Sequence, residues 1–247
     1  MKTEVRDNRQ FTVSSRKLGD SWFIYSALKT RFEQLNIGKI NQVVSVFGFT
    51  KTYSPLYGGR PFRRDNGLSM KQIKTLSKKN IGFSLTLSNH FFSEDAYRQT
   101  IPLLEALYDK KNSIVCANDD LARQIRADFP DFTLHASVVK DLRNISDIHQ
   151  ALELYDFVVL HPKLNDDVAF LQSIDCRDKI ILFATIHCLY KCDEKDCFLN
   201  VSEVNRDETA IRQNNCPHRH DPEFKKLTVF DLHDYRFDGY RYFKVVL

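Results

Sequence analysis

No window of the chain approaches the eighteen or so consecutive apolar residues of a membrane-spanning helix. The opening stretch, Met1 to Arg16, is polar and charged where a secretory leader would be apolar. The expectation is a protein of the cytoplasm with no membrane partner. Beyond a strand and helix alternation there is no internal repeat and no low-complexity tract. No HExxH motif, Gly-rich phosphate loop or Ser-His-Asp order occurs, so peptidase, nucleotide-binding and serine-hydrolase readings lack a foothold. Charge of one sign is also scarce: 36 Lys and Arg face 32 Asp and Glu, and a net +4 does not by itself announce a nucleic-acid binder. An anionic substrate stays compatible.

What is present is an apolar fraction of 43% in 247 residues, enough to cover one substantial core. From Asp20 to Asn36, Trp22, Tyr25, Leu28, Phe32 and Leu35 fall at steps of three and four, which predicts an amphipathic helix capped near Asp20 or Ser21. Short β-branched and aromatic runs predict strands at 43–49, 81–87, 113–117, 133–138, 157–160 and 180–184. Helical patterns at 69–79, 94–110, 119–129, 145–154 and 165–174 separate them. Such alternation calls for parallel strands joined by crossover helices, and six of them in this order predict an α/β fold, a (β/α) TIM-type barrel. The periodic pattern dissolves after Cys188, and a strand-like run returns only at 242–247. The expected organisation is a polar segment at 1–16 and one barrel domain at 17–247 with an irregular cysteine-rich insertion at 187–226. The barrel is expected to be incomplete at its C-terminus, or closed by the N-terminal helix or by a partner chain.

Six cysteines in a reducing compartment are not expected to be disulfides. Cys116 and Cys176 sit alone among apolar or strand-like neighbours and read as small buried hydrophobes. The other four, Cys188, Cys192, Cys197 and Cys216, follow the spacing C-x3-C-x4-C-x18-C. Thiolates are soft donors, four of them satisfy a tetrahedral metal or one corner each of an iron-sulfur cube, and short spacers let one loop present three at once. Zinc knuckles favour C-x2-C, a spacing absent here, so a 4Fe-4S cluster, zinc and unliganded thiols all stay open. His218 and His220 are spare ligands for zinc, or exposed loop histidines.

In a barrel, functional groups lie just past the C-terminal ends of the strands. Those positions hold Tyr57, Gly58, Gly59 and Arg60, then Asn89 and His90, Asn118 and Asp119, Ser137 and Lys140, His161, and His187 with Cys188. Arg60, Asn89 and His161 are the candidate catalytic residues. Two glycines before Arg60 permit close backbone approach, and a guanidinium suits carboxylate or phosphate. Each has a plainer reading: Arg60, Arg63 and Arg64 as a solvated loop, Asn89 and Asn118 as helix caps, His161 as the end of a strand before Pro162.

The runs Ile81-Gly82-Phe83-Ser84-Leu85-Thr86-Leu87-Ser88-Asn89, Val115-Cys116-Ala117-Asn118-Asp119, Phe157-Val158-Val159-Leu160-His161-Pro162 and His187-Cys188-Leu189-Tyr190-Lys191-Cys192, with Gly239-Tyr240-Arg241-Tyr242-Phe243-Lys244-Val245 near the end, carry a resemblance. From Val43 onward the chain resembles the collagenase-like peptidase family, peptidase family U thirty-two. The resemblance implies a barrel with a cysteine-bound 4Fe-4S cluster. Several members of that family serve oxygen-independent hydroxylation of tRNA, ribosomal RNA or ubiquinone precursors, and others carry a peptidase label. The chain departs from the hydroxylation members in its cysteine spacing and ends where they continue. Two functions follow as expectations: an iron-sulfur redox enzyme acting on RNA or a small anionic substrate oriented by Arg60, or a zinc-stabilised module that binds RNA or protein without catalysis.

Overall fold

The computed structural model describes residues 8–62, 67–192, 194, 196–207, 216, 218 and 220–247. Arg63 and Arg64 fall outside the described residues.

The chain runs through β1 (Gln10–Ser14), α1 (Ile24–Glu33), β2 (Val43–Gly48), α2 (Met70–Ser77), β3 (Gly82–Leu87), α3 (Glu94–Leu107), β4 (Ser113–Cys116) and α4 (Asp119–Asp128). It continues through β5 (Thr133–Ala136), α5 (Ile145–Leu152), β6 (Phe157–Val159), α6 (Val168–Ser173) and β7 (Ile180–Ile186). Then come α7 (Cys188–Lys191), α8 (Cys197–Arg206), α9 (Pro222–Lys225), β8 (Thr228–Val229) and β9 (Tyr242–Val245). Local chemistry sets several of these boundaries. Ser69 and Gln72 form a reciprocal capping box at the start of α2, Ser93 caps α3, and Asn118 caps α4 through Leu121 N at 3.0 Å.

Eight strands, β1 to β7 and β9, pair in parallel and close into a ring, because β9 lies between β7 and β1. The two-residue β8 adds antiparallel to the end of β7. This is the expected TIM-type barrel, and it closes within one chain. The strand that a partner was expected to supply is β1, which lies inside the stretch read as a polar N-terminal segment. Its alternation explains the miss: Phe11 packs outward on Phe32 of α1, ring centroids 5.1 Å apart, while the inward positions are polar Thr12 and Ser14. The insertion read as irregular also contains α7, α8 and α9. On α8 the buried residues include Ser202 and Asn205 beside Val201 and Val204, so an apolar-only pattern does not register the helix. On α1 the buried face is Ile24, Leu28 and Phe32, whereas Trp22 precedes the helix and is 96% exposed.

Core packing divides by side. The outward faces of the strands pack under the helices, and the inward face carries a belt of hydroxyls across four neighbouring strands. Ser45 Oγ donates to Thr12 Oγ1 at 3.0 Å, Ser84 Oγ to Ser45 Oγ at 3.2 Å, and the Ser84 and Ser113 hydroxyls meet at 2.6 Å. Small hydrogen-bonded groups there satisfy one another where they are buried. Opposite them, the rings of His135, Phe157 and Tyr242 meet edge to face at 5.3 and 4.9 Å.

Candidate functional site

Parallel strands bring all their C-terminal ends to one rim, and the sequence-predicted residues gather there. Arg60 reaches inward: its Nη2 donates to Ser15 Oγ at 3.2 Å, and its guanidinium lies 5.3 Å from the Phe49 ring centroid. Gly48 makes that approach possible. A Cβ there would fall 2.0 Å from Ser15 Oγ and 2.8 Å from Arg60 Nη2, and its φ of +151° suits glycine. Gly58 does the same for the backbone, since a Cβ would fall 2.2 Å from the carbonyl of Ser88.

Asn89 is almost fully buried, and its amide is committed to the scaffold. Nδ2 donates to the carbonyls of Pro55 (3.1 Å), Tyr57 (3.0 Å) and Ser202 (2.9 Å), while Oδ1 accepts from Phe91 N at 2.9 Å. Asn205, which the sequence reading did not single out, complements it from α8. Its Nδ2 donates to Tyr57 O at 3.1 Å and Arg60 O at 2.8 Å, and its Oδ1 accepts from Phe62 N at 2.7 Å. Two buried amides thus staple the loop that carries Arg60 to the helix that begins at Cys197. The geometry makes Asn89 a positioning residue. His161 is also buried, its Nδ1 accepting from Lys163 N at 3.3 Å in the turn after β6. Asn118 acts as the helix cap, and Lys140 pairs with Asp119 at 2.7 Å.

A Ser and His contact exists at the rim, between His90 Nδ1 and Ser202 Oγ at 2.9 Å. It is not built as a nucleophile: Ser202 has no exposed surface and donates to Phe198 O at 2.9 Å within α8.

The four clustered cysteines sit in the loops past β7. Cys188 starts α7, Cys192 ends it, Cys197 starts α8, and Cys216 is exposed. All are free thiols. Burial first, and then the neighbouring Cys192 and Cys216 sulfurs, raise the pKa of Cys188. The same causes, burial and then Cys188, Cys216 and Cys192, push Cys197 up to about 11. Cys188 is exposed as a whole residue, yet its sulfur is crowded enough for desolvation to dominate. The four sulfurs therefore share one electrostatic neighbourhood. No three of them approach within 4.8 Å of one another; among the described residues only His149, Asp175 and Cys176 do so, on the outer wall, where His149 Nε2 lies 3.2 Å from an Asp175 oxygen. Glu194 N donates to Cys192 Sγ at 3.4 Å. Of the spare histidines, the His218 ring lies flat on Phe224 with centroids 3.7 Å apart, and His220 occupies a turn. Cys116 is fully buried, as expected of a small hydrophobe, while Cys176 is half-buried.

The inner wall of the barrel holds a residue that sequence reasoning missed. Lys244, on β9, is 5% exposed, and its ammonium lies 4.3 Å from the Phe47 ring centroid across the barrel. Burial first, and then the positive charge of Arg60, lower its pKa to about 7. His135, on β5, is held down to about 3 by burial and then by Lys244. Two hydroxyls of β3 and its following turn, Thr86 Oγ1 and Ser88 Oγ, are buried without a hydrogen-bond partner among the described residues. The signal available was alternation: Phe243 faces outward on Phe11, so Lys244 must face in. A cleft of about 260 Å³ lined by Arg9, Asn36, Asp231 and His233, among others, lies apart from this rim, beside the entry to β1.

No protein-family model matches the sequence, and no curated protein matches it. In structure the chain is similar to a solved U32 peptidase, Mk0906, with a TM-score of 0.59 and 11% sequence identity over 97% of this chain and 92% of that one. At that identity the likeness establishes a shared barrel fold, and it agrees with the resemblance carried by the sequence. Among the described residues no helix is long and apolar enough to cross a membrane.

Proposed function

We propose that the protein is an iron-sulfur barrel enzyme of the cytoplasm, with Cys188, Cys192, Cys197 and Cys216 as ligands of a 4Fe-4S cluster and an anionic substrate or RNA held beside Arg60. The observation that carries this reading is the shared electrostatic neighbourhood of four soft donors at the rim where the barrel loops converge. Four soft thiolate donors, one for each iron, are the donor chemistry a 4Fe-4S cluster takes, and on that ground the donor set fits the group.

A bound cluster would supply one-electron redox chemistry, and the reaction class we propose is hydroxyl transfer without molecular oxygen, in which a substrate C–H becomes C–OH while a hydroxyl-bearing donor, R–OH, leaves as R–H. The chain's own residues then do the binding. Arg60 is positioned by Gly48 and Ser15 from below and by Asn205 from α8, so that its guanidinium faces the interior beside Phe49. Asn89 and Asn205 hold this loop in register with Cys197. Peptidase action is not favoured, since the one Ser and His contact described above is locked into α8.

Protein purified without oxygen tests the proposal. Iron and acid-labile sulfide in equal amounts, with a broad visible absorption shoulder, support it. A colourless protein with stoichiometric zinc sinks it and leaves the zinc-stabilised binding module, in which chelation unfolds the loops after β7 without loss of turnover.

A further inference from the structure

We propose that Lys244 receives the oxyanion end of the substrate, a carboxylate or a phosphate, inside the barrel mouth. This deepens the reading that the mouth takes an anion and does not depend on the cysteine site.

The inner wall around Lys244 is built from cations and neutral groups. The charged and titratable groups that face it are Arg60, from the loop after β2, and the His135 imidazole, from β5. Its strand neighbours contribute Thr12 from β1 and Phe183 from β7, and β2 contributes the Phe47 ring beneath the ammonium. Among the described residues no carboxylate forms an ion pair with Lys244, and no hydrogen bond satisfies its amine. An ammonium turned into the barrel with no carboxylate beside it is an unneutralised cation on a partly desolvated wall, and an anion entering from solvent is the partner that would neutralise it. Phe47 and Thr86 are both half-buried although they face inward, so the barrel is open to solvent at this level. An oxyanion entering there meets the Lys244 ammonium and the field of Arg60 on a partly desolvated wall, where each interaction is stronger than in water.

The arrangement also dictates a proton balance. The empty site holds Lys244 close to half-ionised at neutral pH, and an anion favours the charged form, so binding takes up a proton from solvent above pH 7.

Calorimetric titration of the full chain with inorganic phosphate and, separately, with malonate tests this, in buffers of different ionisation enthalpy. The expected result is uptake approaching about one proton per anion near pH 8.5 and little near pH 6. Tighter binding of phosphate marks a phosphoryl-bearing substrate, and tighter binding of malonate a carboxylate. Lys244→Met should weaken the preferred anion at least about tenfold and abolish proton uptake, while Lys244→Arg should keep binding without the uptake because a guanidinium stays charged. Failure of both anions to bind the wild-type protein, binding without proton uptake, or unchanged binding in Lys244→Met would each overturn the inference. Iron and sulfide measured on the same preparations report on the cysteines separately, so either reading can fail without the other.

Discussion

Replacing Asn205 with alanine tests whether the two buried amides hold the Arg60 loop to α8. The side chain makes three hydrogen bonds, to Tyr57 O, Arg60 O and Phe62 N, at 3.1, 2.8 and 2.7 Å. In Asn205→Ala the Arg60 carbonyl and the Phe62 amide lose this partner, while Tyr57 O keeps its bond from Asn89 at 3.0 Å. At about 1–3 kcal/mol for each buried group left unsatisfied, the expected loss is roughly 2–4 kcal/mol. For a chain of this size that is a fall in Tm of about 5–15 °C. Asn89→Ala removes the bonds to Pro55 O, Ser202 O and Phe91 N as well, so its loss should be larger, roughly 3–5 kcal/mol. Only the double variant takes both amides away from Tyr57 O. It should therefore be less stable than the sum of the single losses by about 1 kcal/mol. Urea unfolding of the four proteins measures this. A loss under about 0.5 kcal/mol in Asn205→Ala, a level typical of surface changes, or a double variant no worse than additive would refute the staple.

Three further outcomes follow from the same structure. Lys244 has a folded pKa near 7 against an ordinary 10.5, so the unfolded chain binds more protons between those values and stability rises with pH across that window. The full penalty is present below pH 7, and Lys244→Met should remove the rise and match or exceed wild-type stability at neutral pH, read by urea midpoints from pH 6 to 10. Gly48→Ala forces a Cβ to 2.0 Å from Ser15 Oγ at a φ of +151° and should destabilise by about 1–3 kcal/mol, with Arg60 displaced; a wild-type midpoint would contradict the close approach. Ser84→Ala leaves Ser45 and Ser113 without a shared partner at the centre of the hydroxyl belt and should lower stability by about 1–2 kcal/mol, whereas a neutral result would show that the belt adds nothing.

The fold was legible wherever outward-facing strand residues are apolar and crossover helices carry a 3.6-residue stripe, which holds from β2 through β7. It was not legible at β1, where Thr12 and Ser14 face a polar interior and the strand has no apolar run to display. Nor was it legible at α8, whose buried face includes Ser202 and Asn205, residues that pack by hydrogen bonding to loops about 110–150 positions away in sequence. The close approach before Arg60 was legible, since a Cβ at Gly58 would fall 2.2 Å from the Ser88 carbonyl. The position of Asn89 past β3 was legible, whereas its amide bonds to Pro55, Tyr57, Ser202 and Phe91 depend on tertiary contacts. Lys244 was hidden because one lysine in a terminal strand looks like a solvated edge until closure of the barrel gives that strand an inside.

The central claim is that four thiolates at the barrel mouth share one inorganic centre, and metal analysis of wild-type and Cys192→Ser protein prepared without oxygen tests it most directly. The account predicts about four irons and four sulfides per wild-type chain, with a marked loss of both in Cys192→Ser. Equal metal in the two proteins, or one zinc and no sulfide in the wild type, would contradict it.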